Sequence, residues 1–205
     1  MAKFRFYTLL LALICIIMFI LQLVFSGFTE SLVLNQASIF QPYRFVSAIF
    51  LHGSVLHLFY NLFALILFGL ILEKLIGSNK FLAVFFASGI IANLISVNFY
   101  SSSLGASGAI FGIIGALAFI RPGMMVWAFS LPMPMFIAAI LWAIGDLIGV
   151  FAPSDIGNIA HLSGVAIGLI LGAIFRNRTV RYSYTRKINL PESYMRNWED
   201  KFMRR

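Results

Sequence analysis

Apolar residues in this chain come in long, unbroken runs and not in the one-face stripes of soluble helices. Six runs stand out: Thr8–Phe25, Val55–Leu72, Phe81–Val97, Gly105–Ile120, roughly Met133–Val150, and Asn158–Phe175. An α-helix needs about 20 apolar residues to cross a bilayer. The pattern therefore predicts an all-α polytopic membrane protein, a bundle of six transmembrane helices. The breaks carry turn chemistry: Glu73, Lys74 and Gly77–Lys80 after the second run, Asn98–Ser103 after the third, Arg121-Pro122-Gly123 after the fourth, Pro153–Gly157 after the fifth. Pro132 and Pro134 leave the start of the fifth helix open, and Met124–Leu131 before it reads as an interfacial segment. The first run follows Lys3 and Arg5, as a secretory signal would. Its 18 residues exceed a signal's apolar region of about 7–15, and Ser26-Gly27-Phe28 is a poor cleavage site, so it is read as a retained span.

Composition closes off the soluble alternative. Of 205 residues 61% are hydrophobic and 11% charged, with mean hydropathy +0.96, whereas about a quarter of a soluble domain is charged. Six spans and their tails use the length, which leaves a membrane domain over residues 1–176 and a basic tail over 177–205. The single cysteine, Cys15, excludes an internal disulfide framework. The net charge of +8 would suggest nucleic acid in a soluble protein. Here it reads as topology, because cytoplasmic loops hold the excess of Lys and Arg. With both termini inside, fourteen of the fifteen basic residues are cytoplasmic, nine of them from Arg176 onward. The exception is Arg44, in the first exterior loop. The tail is readable either as a segment lying on anionic lipid or as a solvated topology signal.

Polar residues within spans are costly and point to function. With the N-terminus inside, the second, fourth and sixth helices begin on the exterior side. His57, Ser107 and His161 each fall within about one turn of those beginnings, so they share one depth. His57 and Asn61 are four apart, hence on one helix face; His52 belongs to the helix entry, with Ser54 a plausible cap. His161, Gly164, Gly168 and Gly172 make one small-residue stripe, and Gly108, Gly112 and Gly115 another, with Ser107 at its edge. Such stripes let membrane helices approach closely, and facing each other they would bring Ser107 and His161 together; the plain alternative is that they serve packing alone and Ser107 caps a helix. The fourth run, 16 residues, rises only about 24 Å against a hydrocarbon thickness of about 30 Å. This helix should start inside the membrane, with Asn98–Ser103 dipping inward to a water-filled recess.

Three segments in this order, HGSVLHLFYN from His52 to Asn61, GASGAIFG from Gly105 to Gly112, and AHLSGVAIG from Ala160 to Gly168, resemble those of the rhomboid intramembrane serine proteases. Tyr43-Arg44 also resembles the aromatic-arginine pair of the family's first exterior loop. The resemblance covers Phe6 to Arg176 and implies the six-helix rhomboid bundle, a minimal form in a prokaryotic cell membrane with its active site facing the exterior. It implies a Ser-His dyad: Ser107, between Gly105 and Gly108 in GxSG, as nucleophile, and His161 as general base. The oxyanion would be met by the Ser107 backbone N–H and by donors on the His57/Asn61 face. His52 and Arg44 carry over as supporting residues, the latter bracing its loop. Phe111 stands where the family commonly has a tyrosine stacked on the catalytic histidine, and Gln41 where a glutamate is frequent, which should weaken hydrogen bonding in the loop. No cofactor and no metal are implied. The partners implied are the lipid bilayer and single-span or polytopic membrane-protein substrates.

Asp146 is a candidate third member of a triad. The family pattern gives it no such role, so it is expected to be solvated at the mouth of the recess or paired locally. Phe136 and Trp142 read as lipid-facing or core aromatics, or as gate residues if the fifth helix moves to admit substrate. Two other functions compete. A non-catalytic relative that guides transmembrane helices has no evident need of Ser107, His161, His57 and Asn61 together, and a channel or transporter would continue its polar residues across the bilayer.

Overall fold

A carboxylate decides where the first helix begins. In the computed structural model, which describes residues 4–152, 157–176 and 192–202, α1 spans Tyr7–Val24. Its first-turn donors, Tyr7 N, Thr8 N and Thr8 Oγ1, reach the buried Glu73 carboxylate at 2.8–2.9 Å. Ser78 Oγ donates to the same group at 2.6 Å and accepts from Arg5 N. The N-terminal N–H groups of a helix have no intrahelical partner and favour an anion; Glu73 supplies one from a distant helix.

The connection from residue 25 to 54 carries short elements: α2 (Phe28–Leu32), β1 (Leu34–Asn35), α3 (Arg44–Ser47) and two 3-10 turns. Arg44 holds it together from within. Its guanidinium, 7% exposed as a residue, donates to the carbonyls of Glu30 and Val33 at 2.8 and 2.7 Å and to Gln41 Oε1. These bonds tie the loop together, with Gln41 as one of the acceptors.

Then come α4 (Val55–Ile76) and α5 (Ser78–Ser96), separated only by Gly77, whose φ of +86° makes the turn. Ser54 caps α4, accepting from His57 N at 3.1 Å. After α5 the polar stretch forms β2 (Ser102–Ser103), antiparallel to β1 with Leu34 opposite Ser103. α6 follows at Ser107–Ile120, starting two residues later than the apolar run suggested because Gly105 and Ala106 turn into it. The hairpin β3 (Met125–Ala128) and β4 (Leu131–Pro134) comes next. Phe129 and Ser130 at its tip both have positive φ, as a two-residue type I′ turn requires. Met125, Trp127, Phe129 and Leu131 are exposed, which suits the interfacial reading. The fifth apolar helix, α7, runs Met135–Val150 and so starts after Pro134, not at Met133. α8 spans Asn158–Phe175 and α9 Glu192–Phe202. Lys3, Pro153, Ser154, Asp155 and most of the basic tail lie outside the described residues.

Among the described residues four helices, α1, α4, α5 and α8, are long and apolar enough to cross a membrane; α6 and α7 are shorter apolar helices. At about 1.5 Å per residue, the 14 residues of α6 rise about 21 Å. It is the centre of the bundle, buried along nearly its whole length, and its most extensive partner is α8. Small residues make this possible. A Cβ added to Gly164 would collide with the Gly108 backbone, and one added to Gly168 would lie 2.7 Å from the Gly112 carbonyl carbon. The two glycine stripes therefore do face each other, backbone against backbone.

Candidate active site

Ser107 is the first residue of α6, and the chain reaches it through a tight approach. Gly105 N donates to Ala48 O at 2.9 Å, and Gly105 has φ +125°, which side-chain-bearing residues rarely adopt. A Cβ at Gly105 would sit 2.8 Å from His57 Cε1, 2.9 Å from His57 Nε2 and 3.9 Å from Ser107 Oγ. Glycine here lets the imidazole and the hydroxyl flank the same backbone atom.

His57 lies in the first turn of α4. Gly53 N donates to its Nδ1 over a long 3.5 Å. The other ring nitrogen, Nε2, lies on the side of Gly105. One turn on, the buried Asn61 gives one of its two amide hydrogens to His57 O at 3.0 Å and keeps the other. His52 is 1% exposed and packs edge-on against His57 with ring centroids 5.1 Å apart. Burial pushes the His52 imidazole down to about 4, so it is a neutral spacer. Gln22 of α1 pins its backbone, accepting from His52 N and donating to His52 O; nothing in the sequence pattern marked Gln22.

His161 enters from α8, at the end of its first turn. The Phe111 ring lies flat on it, centroids 4.2 Å apart and planes within 6°. Stacking thus needs the aromatic ring and not a tyrosine hydroxyl. Tyr100 OH accepts from Ile159 N at 3.2 Å and meets one of the unpaired N–H groups at the start of α8.

The expectation for Asp146 fails. It is 8% exposed and therefore not solvated at a mouth, and its partner is not local: Oδ1 lies 2.9 Å from Nδ1 of His161, fifteen residues on and on another helix. The α7–α8 packing brings it there, and spacing along the chain does not reveal such a meeting.

These groups surround one cavity of about 1190 Å³, lined by His57, Asn61, Ser107, Phe111 and His161 at one part and by Phe68 and Trp142 at another. Residues 101–105 form part of its wall. Trp142 faces this space and meets Phe68 edge-on at 6.0 Å, whereas Phe136 is exposed on the outside of α7. Ser107 Oγ and His161 line the same cavity without a hydrogen bond between them; the His161 ring bonds through Nδ1 alone among the described residues. A serine, a histidine with one nitrogen against a carboxylate, and a second histidine thus line one cavity.

The rhomboid-domain family model matches residues 39–178. The chain belongs to the rhomboid family. It is accordingly an integral, multi-pass membrane protein of a family of intramembrane proteases that also includes inactive rhomboid-like members. The matched region holds every candidate residue from Gln41 to His161. Similar proteins include RHOMBOID-like protein 1 of Arabidopsis thaliana, 33% identical over 75% of this chain and 39% of that protein. Rhomboid-like protease 3 of Toxoplasma gondii is 44% identical over 38% of this chain and 31% of that protein. The rhomboid protease GlpG of Haemophilus influenzae is 29% identical over 82% of this chain and 89% of that protein. The chain thus spans about two fifths or less of the first two relatives and most of the third.

Proposed function

We propose that this rhomboid is an active intramembrane serine endopeptidase that cuts transmembrane segments of other membrane proteins. One observation carries the reading: Ser107, His161 and the His57/Asn61 pair, from three different helices, converge on one cavity at the start of the short, buried α6. A helper that only binds helices requires none of these groups.

In the reaction, Ser107 Oγ attacks the scissile carbonyl carbon as His161 Nε2 takes the hydroxyl proton. The carbonyl oxygen becomes an oxyanion, met by the Ser107 backbone N–H at the start of α6, by His57 Nε2–H and by the spare Asn61 amide hydrogen. On collapse the C–N bond breaks and His161 returns the proton to the leaving nitrogen, which leaves an ester on Ser107. A water then loses a proton to His161 and attacks the ester carbon. The ester C–O bond breaks, the proton goes back to Ser107 Oγ, and a carboxylic acid is released. The substrate helix must unwind first, since its peptide carbonyls are hydrogen-bonded and shielded. Small or helix-destabilising residues near the cut favour this.

Six spans with both termini inside is the arrangement that fits the basic residues: Lys74 ends α4, Lys80 lies in the first turn of α5 and Arg121 follows α6, at the ends remote from the candidate site. The site then opens toward the exterior face. The membrane domain is assigned to residues 1–176 and the basic tail to 177–205.

The test is cleavage of a single-span substrate in liposomes by wild type, Ser107→Ala and His161→Ala, with fluorophosphonate labelling alongside. Cleavage and labelling by wild type alone are expected. Equal cleavage by all three would remove the Ser-His assignment, and a wild type that neither cleaves nor labels would favour the non-catalytic alternative.

A further inference from the structure

The resemblance implies a two-residue device, but a third group is in contact with the histidine. We propose that Asp146 is a positioning residue for His161: its carboxylate accepts the Nδ1 proton, fixes the ring so that Nε2 faces Ser107 unprotonated, and balances the charge when the ring is protonated. The proposal rests on the protease reading above and deepens it.

Three observations carry it. The contact is short, 2.9 Å between His161 Nδ1 and Asp146 Oδ1, with side chains 11% and 9% exposed. Water therefore competes poorly for either partner. The opposite constraint comes from Phe111, stacked on the ring face at 4.2 Å; stacking alone fixes the ring plane, and the carboxylate fixes rotation within it. Finally, His161 Nδ1 is the one hydrogen-bond partner of the carboxylate among the described residues, since Asp146 Oδ2 is buried without one.

The chemistry follows from the ring's two tautomers. A neutral imidazole carries one proton, and the hydrogen bond made by one nitrogen sets the state of the other. A carboxylate only accepts. It therefore holds the proton at Nδ1 and leaves Nε2 with a lone pair, the state a general base for Ser107 requires. When Nε2 takes the serine proton, the ring becomes a cation next to an anion in a water-poor site. This interaction is stronger in the transition state than in the ground state, and only such an interaction accelerates the step. Electrons and protons balance as before: Asp146 keeps its charge throughout and never carries the transferred proton.

The plainer reading is a clip between α7 and α8. Asp146→Asn separates the two, because the amide fills the same space and still bonds Nδ1. As a donor it forces the proton to Nε2, and as an acceptor it holds the Nδ1 proton without the charge that balances the protonated ring. A clip is unharmed by this exchange; a positioning residue is disabled. The expected result is an unchanged melting temperature and KM, with kcat reduced on the order of 10⁴, as when the same exchange is made in a Ser-His-Asp protease. A loss below tenfold overturns the proposal. Asp146→Glu should recover part of the rate, and Asp146→Ala should lose it with some stability.

A second readout needs no turnover. With three histidines in the chain, ring-15N labelling, assigned by difference against His161→Ala, reports each tautomer. Wild-type His161 should be protonated at Nδ1, and the Asp146→Asn variant at Nε2. A His161 protonated at Nε2 in wild type overturns the proposal whatever the kinetics. The failures are distinguishable: a wild type that neither cleaves nor labels defeats the protease reading and leaves the tautomer to the spectrum, while a Ser107-dependent protease indifferent to Asp146→Asn defeats only this inference.

Discussion

Replacing Gly168 by alanine should abolish the proposed cleavage from a position two helical turns away from His161. A Cβ built on Gly168 lies 2.7 Å from the Gly112 carbonyl carbon and 2.8 Å from its Cα, with the carbonyl oxygen nearer still. Carbon atoms sit comfortably about 3.5–4.0 Å apart, so α8 must retreat from α6 by about 1 Å. Neither partner offers a side chain that can swing aside, because both contacts are backbone. Overpacking of a dense interior costs about 1–3 kcal/mol. The larger consequence is geometric: α8 carries His161 and α6 carries Ser107, and a displacement of about 1 Å can cost about a hundredfold in rate. The assay is cleavage of a single-span substrate in liposomes, with thermal unfolding in detergent to count folded protein. Gly145→Ala is the control, a helical glycine whose added Cβ would meet nothing within 4 Å; it should be neutral or slightly stabilising, since alanine is the better helix former. A Gly168→Ala protein that folds and cleaves like wild type would refute the claim that α6–α8 backbone contact sets the relation between serine and histidine.

Two further outcomes are expected. Phe111→Ala removes the ring stacked on His161; such a pair contributes about 0.5–1.5 kcal/mol, or about 2- to 13-fold in rate, whereas Phe111→Tyr keeps the ring and should stay within a few-fold of wild type in the same cleavage assay. Glu73→Gln sets an amide hydrogen against donors that now share a carboxylate, namely Tyr7 N, Thr8 N, Thr8 Oγ1 and Ser78 Oγ. Loss of one charge-assisted bond should lower stability by about 1.5–3 kcal/mol, read as a lower unfolding temperature with the rate of the folded enzyme unchanged, because the site lies at the other end of α4.

What could be read from the sequence was local or periodic. His57 and Asn61 share a face because they are four apart, and the glycine stripes on α6 and α8 follow from a repeat of three and four residues. The short α6 followed from counting, although the turn through Gly105 and Ala106 made it shorter than its apolar run. Runs of apolar residues located the six helices but blurred their ends: Met133 and Pro134 are as apolar as the helix that follows, yet they pair with β3 in a hairpin. Asp146 was misread for a different reason. Its contact with His161 depends on the packing of α7 on α8, and no spacing between residues 146 and 161 encodes it. The same holds for Glu73, which looks like an ordinary cytoplasmic end-of-helix charge until α1 is seated on it. Among the described residues two carboxylates are buried, and each meets a nitrogen of another helix: Glu73 at the start of α1, Asp146 at the ring of His161. A carboxylate removed from water is costly without a partner. The question to ask of each acidic residue in an apolar run is therefore which donor it meets, and the packed helices, not the linear sequence, supply the answer.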